Sequence, residues 1–405
     1  MGRETHLAPD AHIWCPMTML RKGLFVFVGV LVATAAFAWW TVGPFNAPLQ
    51  PPPWDQWEIL LRERIKLPDG YRLEVFARDL GRPRLMQMTA EGDLIVSGYR
   101  NGTILLVKAD GDGDGRSDWQ GALREDLNQP HGLLLEENTL YVAEEQRVVS
   151  YEFDGVTLDR ERVILEGIPG GDGHSSRTLK RGPDGFLYLS IGSSCNSCIE
   201  EHPWRAGVIR FKEGIAPEIF ASGLRNTVGF DWQPGTGALF GVDNGRDKLG
   251  DDVPDDEVNR IETGKHYGWP FVHGKDVKDP TLYSALPQGL APVSQFHGLG
   301  GHVAPLSIRF LKNQSDPALN GTALVAEHGS WNRTEKSGYR IIQLVFEGDS
   351  ICEEVFMTGC EENEEVICRP VDILEAPDGR LFVSDDYAGA IYTIAKTPSW
   401  RADFR

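Results

Sequence analysis

Six segments of the chain repeat one pattern, a turn followed by a short alternating run of β-formers: residues 92–97 (GDLIVS), 139–143 (TLYVA), 185–190 (GFLYLS), 237–242 (GALFGV), 321–326 (GTALVA) and 379–384 (GRLFVS). Most are followed by a second run, at 102–107, 147–152, 207–211 and 389–394, and Pro183-Asp184-Gly185 and Pro377-Asp378-Gly379 supply turn chemistry between strands. Each unit therefore reads as an antiparallel meander of about four strands. A unit of that size cannot bury a core alone, and stacking such sheets radially leaves only short edges. The expected fold is all-β, a six-bladed β-propeller over residues 55–402. A two-sheet sandwich predicts no recurrent unit. Equivalent leucines (Leu94, Leu140, Leu187, Leu239) stand roughly 45–50 residues apart, but Leu324 follows only after roughly 85. That places a long insertion in the connection between the fourth and fifth units, where it would shape a binding face.

Forty-five Gly and 25 Pro among 405 residues suit a turn-rich chain, and 41% hydrophobic residues exclude disorder for most of it. Forty Lys+Arg against 59 Asp+Glu give a net charge of −19, which argues against nucleic-acid partners held by phosphate neutralisation.

After an N-terminal region of residues 1–22, residues 23–45 form an uncharged apolar run preceded by Arg21-Lys22. Two readings stand: a signal peptide cut after Ala36-Phe37-Ala38, its short n-region supplied by a start at Met17 or Met19, or a membrane anchor with Trp39-Trp40 at the interface. Both send the rest of the chain out of the cytoplasm, to a periplasmic or extracytoplasmic location. Residues 46–54 read as a stiff Pro-rich linker. Cys195 and Cys198 have CxxC spacing without the following His of a c-type haem site and without a second zinc-ligand pair, so a disulfide is expected. Two of Cys352, Cys360 and Cys368 are expected to staple an acidic loop.

The segment before each repeated strand should start the innermost strand, facing the central channel. There the chain carries Gln129-Pro130-His131, Gly173-His174-Ser175-Ser176-Arg177, Arg225-Asn226, Gly300-Gly301-His302 and Arg369. A lone strand His is ordinarily structural. Polar groups recurring in five blades converge on one axial pocket, as a small-molecule site requires.

The ordered series GHSSR (173–177), GPDG (182–185), GLRN (223–226), DNG (243–245), DDEVN (255–259), HYGWP (266–270) and RPVD (369–372) resembles the glucose/sorbosone dehydrogenase family over about residues 60–394. The resemblance implies a six-bladed propeller holding pyrroloquinoline quinone (PQQ) and calcium, a sugar or aldehyde substrate and an external electron acceptor. It implies that His174 is the general base and that Arg225 stabilises charge on the reduced quinone. Gln129, His131, Asn226, Asn244 and His302 would line the cofactor pocket, Arg369 would pair with a PQQ carboxylate, and the loop 327–333 would close the pocket with Arg333 as a further cation. Gly245 and Arg246 would offer carbonyls to Ca²⁺, with Asp256 and Glu257 at further calcium positions. Gly300-Gly301-His302 stands where glucose-oxidising members carry an aromatic lid, so the lid is missing or supplied by Trp331. Val371 replaces a second arginine, and Asn244 stands where glutamine is usual. These departures favour the sorbosone-dehydrogenase-like branch.

Asp110, Asp112, Asp114 and Asp118 alternate like the first half of an EF-hand loop, with Gly121 where the closing Glu would stand, and are expected to hold a structural Ca²⁺. Two other classes remain open at this point: a calcium-dependent lactonase-like hydrolase, which would want carboxylates at the channel, and a non-catalytic ligand-binding propeller.

Overall fold

The computed structural model of the protein describes residues 45–48 and 50–396. The apolar run, apart from Phe45, lies outside them, as do Cys15 and residues 397–402. Among the described residues no helix is long and apolar enough to cross a membrane.

Six sheets, each built on four antiparallel strands and one of them extended by a fifth, form the blades of a propeller. In blade one the strands run from the axis outward as Pro83–Met88, Leu94–Gly98, Thr103–Val107 and Gln120–Arg124. Blades two to five open on Gly132–Glu136, Leu179–Arg181, Thr227–Trp232 and Pro305–Phe310 in the same sense. Blade six takes Pro370–Glu375, Leu381–Asp385 and Ala390–Lys396 from the C-terminal end, and Tyr71–Ala77 from the N-terminal end closes it, with Tyr71 opposite Lys396 and Val75 opposite Tyr392. The repeated runs read from sequence are the second strand of every blade. Leu94–Gly98, Leu187–Ile191, Leu239–Asp243, Ala323–Glu327 and Leu381–Asp385 are buried at every position, because neighbouring blades cover both faces. Outermost strands such as Gln120–Arg124 alternate between exposed and half-buried positions.

Two expectations are corrected. The long insertion lies within blade four, between its third strand Asp255–Ile261 and its outermost strand His297–Gly301, rather than between blades four and five. Spacing between equivalent leucines measures repeat length and does not say which connection carries the extra residues. Part of the insertion, Lys265–His266, adds in parallel to the edge of blade three. The stretch after the linker is helical before it is propeller: Trp54–Arg64 forms an α-helix with Asp55 in its first turn and Arg62 and Arg64 in its last, charges that suit the helix dipole. Its Trp57 is buried, stacks on Tyr392 at 5.8 Å and donates Nε1–H to the Ile367 carbonyl at 2.8 Å. Only Trp57 and Leu61, four residues apart, are fully buried, too short a stripe to read as a helix from sequence.

Disulfides join Cys195 to Cys198 and Cys360 to Cys368, and Cys352 is an exposed thiol.

Candidate functional site

In blades two, four and six the channel end of the innermost strand is held by an acid at or just past the end of the second strand. Asp243 accepts the N–H of Asn226 at 2.8 Å, Asp385 that of Arg369 at 3.1 Å, and Glu144, one residue past its strand, that of Asn128 at 2.8 Å. These carboxylates are buried, and burial pushes Asp243 and Asp385 up to about 7. The register between first and second strands also shifts here in blades one, four, five and six. Such bulges re-aim side chains, and they put the polar residues at the mouth of the channel rather than along it. Deeper in, the channel is filled by Met86, Thr178, Phe230 and Ile308 and by the ion pairs Lys180–Asp231 (3.2 Å) and Arg309–Asp372 (3.9 Å).

His174 is half-buried at the start of blade three. Its Nδ1 faces two oxygens of Ser193, the carbonyl at 3.1 Å and Oγ at 3.0 Å, and its carbonyl accepts from the guanidiniums of Arg177 (2.9 Å) and Arg205 (3.3 Å). A Cβ on Gly192 would stand 2.5 Å from His174 Cβ and 2.7 Å from Asn226 Oδ1, so glycine is what lets those two side chains meet. Burial, then the positive charges of Arg225, Arg177 and Arg205, lowers the imidazole pKa to about 3 and leaves it neutral across the physiological range.

Arg225 is buried and donates to Asn196 through Nε and Nη2, to the Asn244 carbonyl at 3.0 Å and to Asp247 at 2.9 Å. Across the channel Arg369 donates to the carbonyls of His328 (2.9 Å) and Gly329 (2.7 Å) and lies over the Tyr339 ring. Beside it Asp386 joins His328 at 2.7 Å to Arg84 at 2.9 Å, and the Arg84 guanidinium lies 5.6 Å from the centre of the Tyr99 ring. His131 packs edge-on against Tyr99, fully buried, with Nδ1 3.2 Å from the Arg177 carbonyl and Nε2 without a partner. Gln129, at φ 52°, forms the turn before it.

Other expected cofactor contacts are spent elsewhere. Asn244 donates to the Pro305 carbonyl at 2.9 Å, and His302 Nε2 meets the Gly250 carbonyl at 2.9 Å. Arg333, expected to face a cofactor, pairs with Asp252 at 2.8 Å and donates to the Asp251 carbonyl, tying the loop between the second and third strands of blade five to the equivalent loop of blade four. Trp331 is 36% exposed.

The two calcium expectations separate. Asp110, Asp112 and Asp114 bring carboxylate oxygens within 4.8 Å of one another, a donor set that suits a hard cation. Asp118 turns back to accept from Gly111 N–H at 3.1 Å. Asp256 and Glu257 do not assemble with a third side-chain ligand among the described residues. Asp256 accepts the N–H groups of Gly245 and Ala304, both at 2.7 Å, and Glu257 accepts from Asn259 and Gly274. The Arg246 guanidinium is bonded to Asp279.

Sequence reasoning left Arg84, Tyr99, Arg205, His328 and Asp386 without roles. Arg84 had a usable signal, because Arg82-Pro83 opens blade one as Arg369-Pro370 opens blade six. Asp386 had another, the acid that ends or follows second strands.

Fold and site together define a six-bladed propeller whose channel mouth gathers a neutral histidine and several buried arginines. Residues 205–393 match the family model described as "Glucose / Sorbosone dehydrogenase", and residues 65–265 match the model described as "TrAA12-like". An uncharacterised protein of Borreliella burgdorferi is 28% identical over 82% of this chain and 90% of its own length. Among solved structures, the calcium structure of the Trichoderma reesei family AA12 carbohydrate-active enzyme aligns with a TM-score of 0.71 at 21% identity, over 87% of this chain and 99% of that one. The holo pyranose dehydrogenase PQQ domain of Coprinopsis cinerea aligns at 0.69 and 19% identity, over 82% and 97%. At these identities the two structures speak for the shared fold.

Proposed function

We propose that the protein is a PQQ- and calcium-dependent dehydrogenase that oxidises an aldose or sugar aldehyde and passes the electrons to an external acceptor outside the cytoplasm. One observation carries the reading. At the channel mouth His174 is held neutral with Nδ1 engaged, while Arg177, Arg205 and Arg369 donate only to backbone carbonyls and have no carboxylate partner among the described residues. Buried charge compensated only at a distance, by Glu145 for Arg177 and by Asp385 and Asp386 for Arg369, is costly, so a site built this way favours an anionic ligand. PQQ, a planar quinone carrying carboxylates, has that chemistry, and the family match supports it.

When bound, the quinone supplies a hydride acceptor for the substrate carbon. The residues of the chain supply the rest. His174 Nε2 takes the proton of the substrate hydroxyl as the C–H hydride leaves, and Ser193 holds the ring while it does so. Arg225, fixed by Asp247 and Asn196, places positive charge beside the base. Arg369 presents cationic character on the far side of the channel mouth, where a ligand carboxylate would compensate it. The cluster Asp110, Asp112 and Asp114 fits a structural calcium. A second calcium at the Gly245 and Arg246 carbonyls rests on the family resemblance alone. A sorbosone-type aldehyde is the substrate reading favoured by Gly300-Gly301-His302 and Val371.

The lactonase alternative needs carboxylates converging on a central metal, whereas the strand-end acids here bond backbone N–H groups or, for Glu327, the side chain of Arg340. The decisive experiment adds PQQ and Ca²⁺ to the purified protein and screens aldoses and sugar aldehydes with a dye acceptor. Turnover with a change in quinone absorbance is expected. The absence of both signals would overturn the proposal.

A further inference from the structure

The loop after the second strand of blade three touches both residues assigned to the chemistry. Ser193 is fully buried. Its N–H donates to the Arg225 carbonyl at 2.8 Å, and its carbonyl accepts the N–H of His174 at 2.9 Å as well as facing Nδ1. Its hydroxyl donates to the Cys195 carbonyl at 2.7 Å. A serine hydroxyl has one proton to give. Because that proton goes to Cys195, Ser193 Oγ can meet the imidazole only as an acceptor, and the carbonyl is an acceptor by nature. Two acceptors at Nδ1 require that Nδ1 carry the hydrogen, which leaves the lone pair on Nε2.

The Cys195 carbonyl is in turn fixed by a closed ring. The Cys195–Cys198 disulfide ties the loop to itself, and the Glu200 carboxylate accepts from Ser194 N–H at 2.7 Å and Ser194 Oγ at 2.8 Å. Ser197 Oγ donates to Asp279 at 3.0 Å. Inside the ring, Asn196 holds Arg225: its carbonyl accepts Arg225 Nε (3.1 Å) and Trp269 Nε1 (3.2 Å), and its Oδ1 accepts Arg225 Nη2 (3.0 Å) and Asp247 N–H (2.9 Å). Asn196 Nδ2 completes the contact by donating to the Asp247 carbonyl at 3.0 Å.

We infer that the disulfide-closed loop is a positioning element for the reaction: Ser193, locked by the Cys195 carbonyl, selects which imidazole nitrogen of His174 is the free base, and Asn196 aims Arg225. This rests on the reading of His174 as the base. Were the loop to open, the Ser193 hydroxyl would be free to turn and donate to Nδ1 in competition with the Ser193 carbonyl, and part of the ring population would carry its proton on Nε2, the wrong nitrogen for taking a proton from a substrate.

The test reads the tautomer directly, by ¹⁵N NMR of the imidazoles in the full chain without added quinone, His174 being assigned by its absence in His174→Gln. Wild type is expected to show a single Nδ1–H tautomer. Cys195→Ser/Cys198→Ser is expected to show a substantial Nε2–H population and, with PQQ and Ca²⁺, a kcat at least roughly tenfold lower at little-changed KM. Adding Ser193→Ala to that variant removes the hydroxyl able to donate wrongly and should restore the single tautomer, which a merely unfolded loop would not do. Asn196→Ala keeps the disulfide and should weaken PQQ binding several-fold, read by absorbance titration, with the tautomer unchanged. An unchanged tautomer in the opened loop overturns the inference. A shifted tautomer with unchanged turnover supports the positioning and instead overturns His174 as the base.

Discussion

His131 and His174 precede the innermost strands of adjacent blades and share most local features. Each sets Nδ1 against a backbone carbonyl, and each imidazole pKa is lowered by burial and then by arginine charge, from Arg84 for His131 and from Arg225 for His174. They differ in what surrounds Nε2. That of His131 is buried without a partner, its ring enclosed against Tyr99, whereas His174 is partly exposed with Nδ1 held by two acceptors. A recurring polar residue at the axis is therefore not enough for chemistry. The neighbours must leave one nitrogen both basic and reachable.

The largest effect that could break this contrast is on turnover. His174→Gln is expected to lower kcat by roughly 10²–10⁴ with PQQ still bound, the usual worth of a general base. His131→Gln should keep kcat within about tenfold and show its cost in stability, about 1–3 kcal/mol by urea denaturation. Equal losses of kcat would erase the distinction.

A smaller effect concerns the buried acids at the ends of the second strands of blades four, five and six. Asp243, Glu327 and Asp385 are each raised to about 7, first of all by burial. The folded state thus binds more protons than the unfolded chain between pH about 4 and 7, where unfolded carboxylates have already ionised. Their contribution is complete below about pH 4 and is lost as pH rises through 7; the lowered imidazoles of His131, His174 and His328 act oppositely only below about pH 6.5, so thermal midpoints without added metal should fall from about pH 6.5 to pH 8. Asp385→Asn keeps an oxygen for the Arg369 N–H and should flatten part of that slope. An unchanged slope would mean that Asp385 is ionised in its pinning role.

The smallest expected effect lies farthest from both histidines. Calcium should raise the thermal midpoint by about 2 °C through Asp110, Asp112 and Asp114, and Asp112→Asn should remove that gain while leaving the His174 tautomer untouched. A calcium response that survives Asp112→Asn would move the ion to another site.

Much of the architecture was legible because the second strand of each blade is covered on both faces and so reads as an uninterrupted β-forming run. The Trp54–Arg64 helix was not, since its burial rests on two side chains against Tyr392 and Ile367, far away in sequence. Within the site, His174, Arg225 and Arg369 carried a motif signal. Asp386 and Arg84 each carried a weaker local signal, but they meet across 302 positions of chain, and no local pattern announces their pairing.

By itself the sequence determined the number of blades, the second strand of each and the CxxC disulfide, all consequences of short-range pattern or spacing. Only the tertiary structure decided which of the recurring axial residues has a free nitrogen, which arginines lack a carboxylate and which acids hold strands rather than metal. Those properties depend on how hydrogen-bond donors and acceptors from different blades are shared out, and a donor already spent on one partner is unavailable to the next.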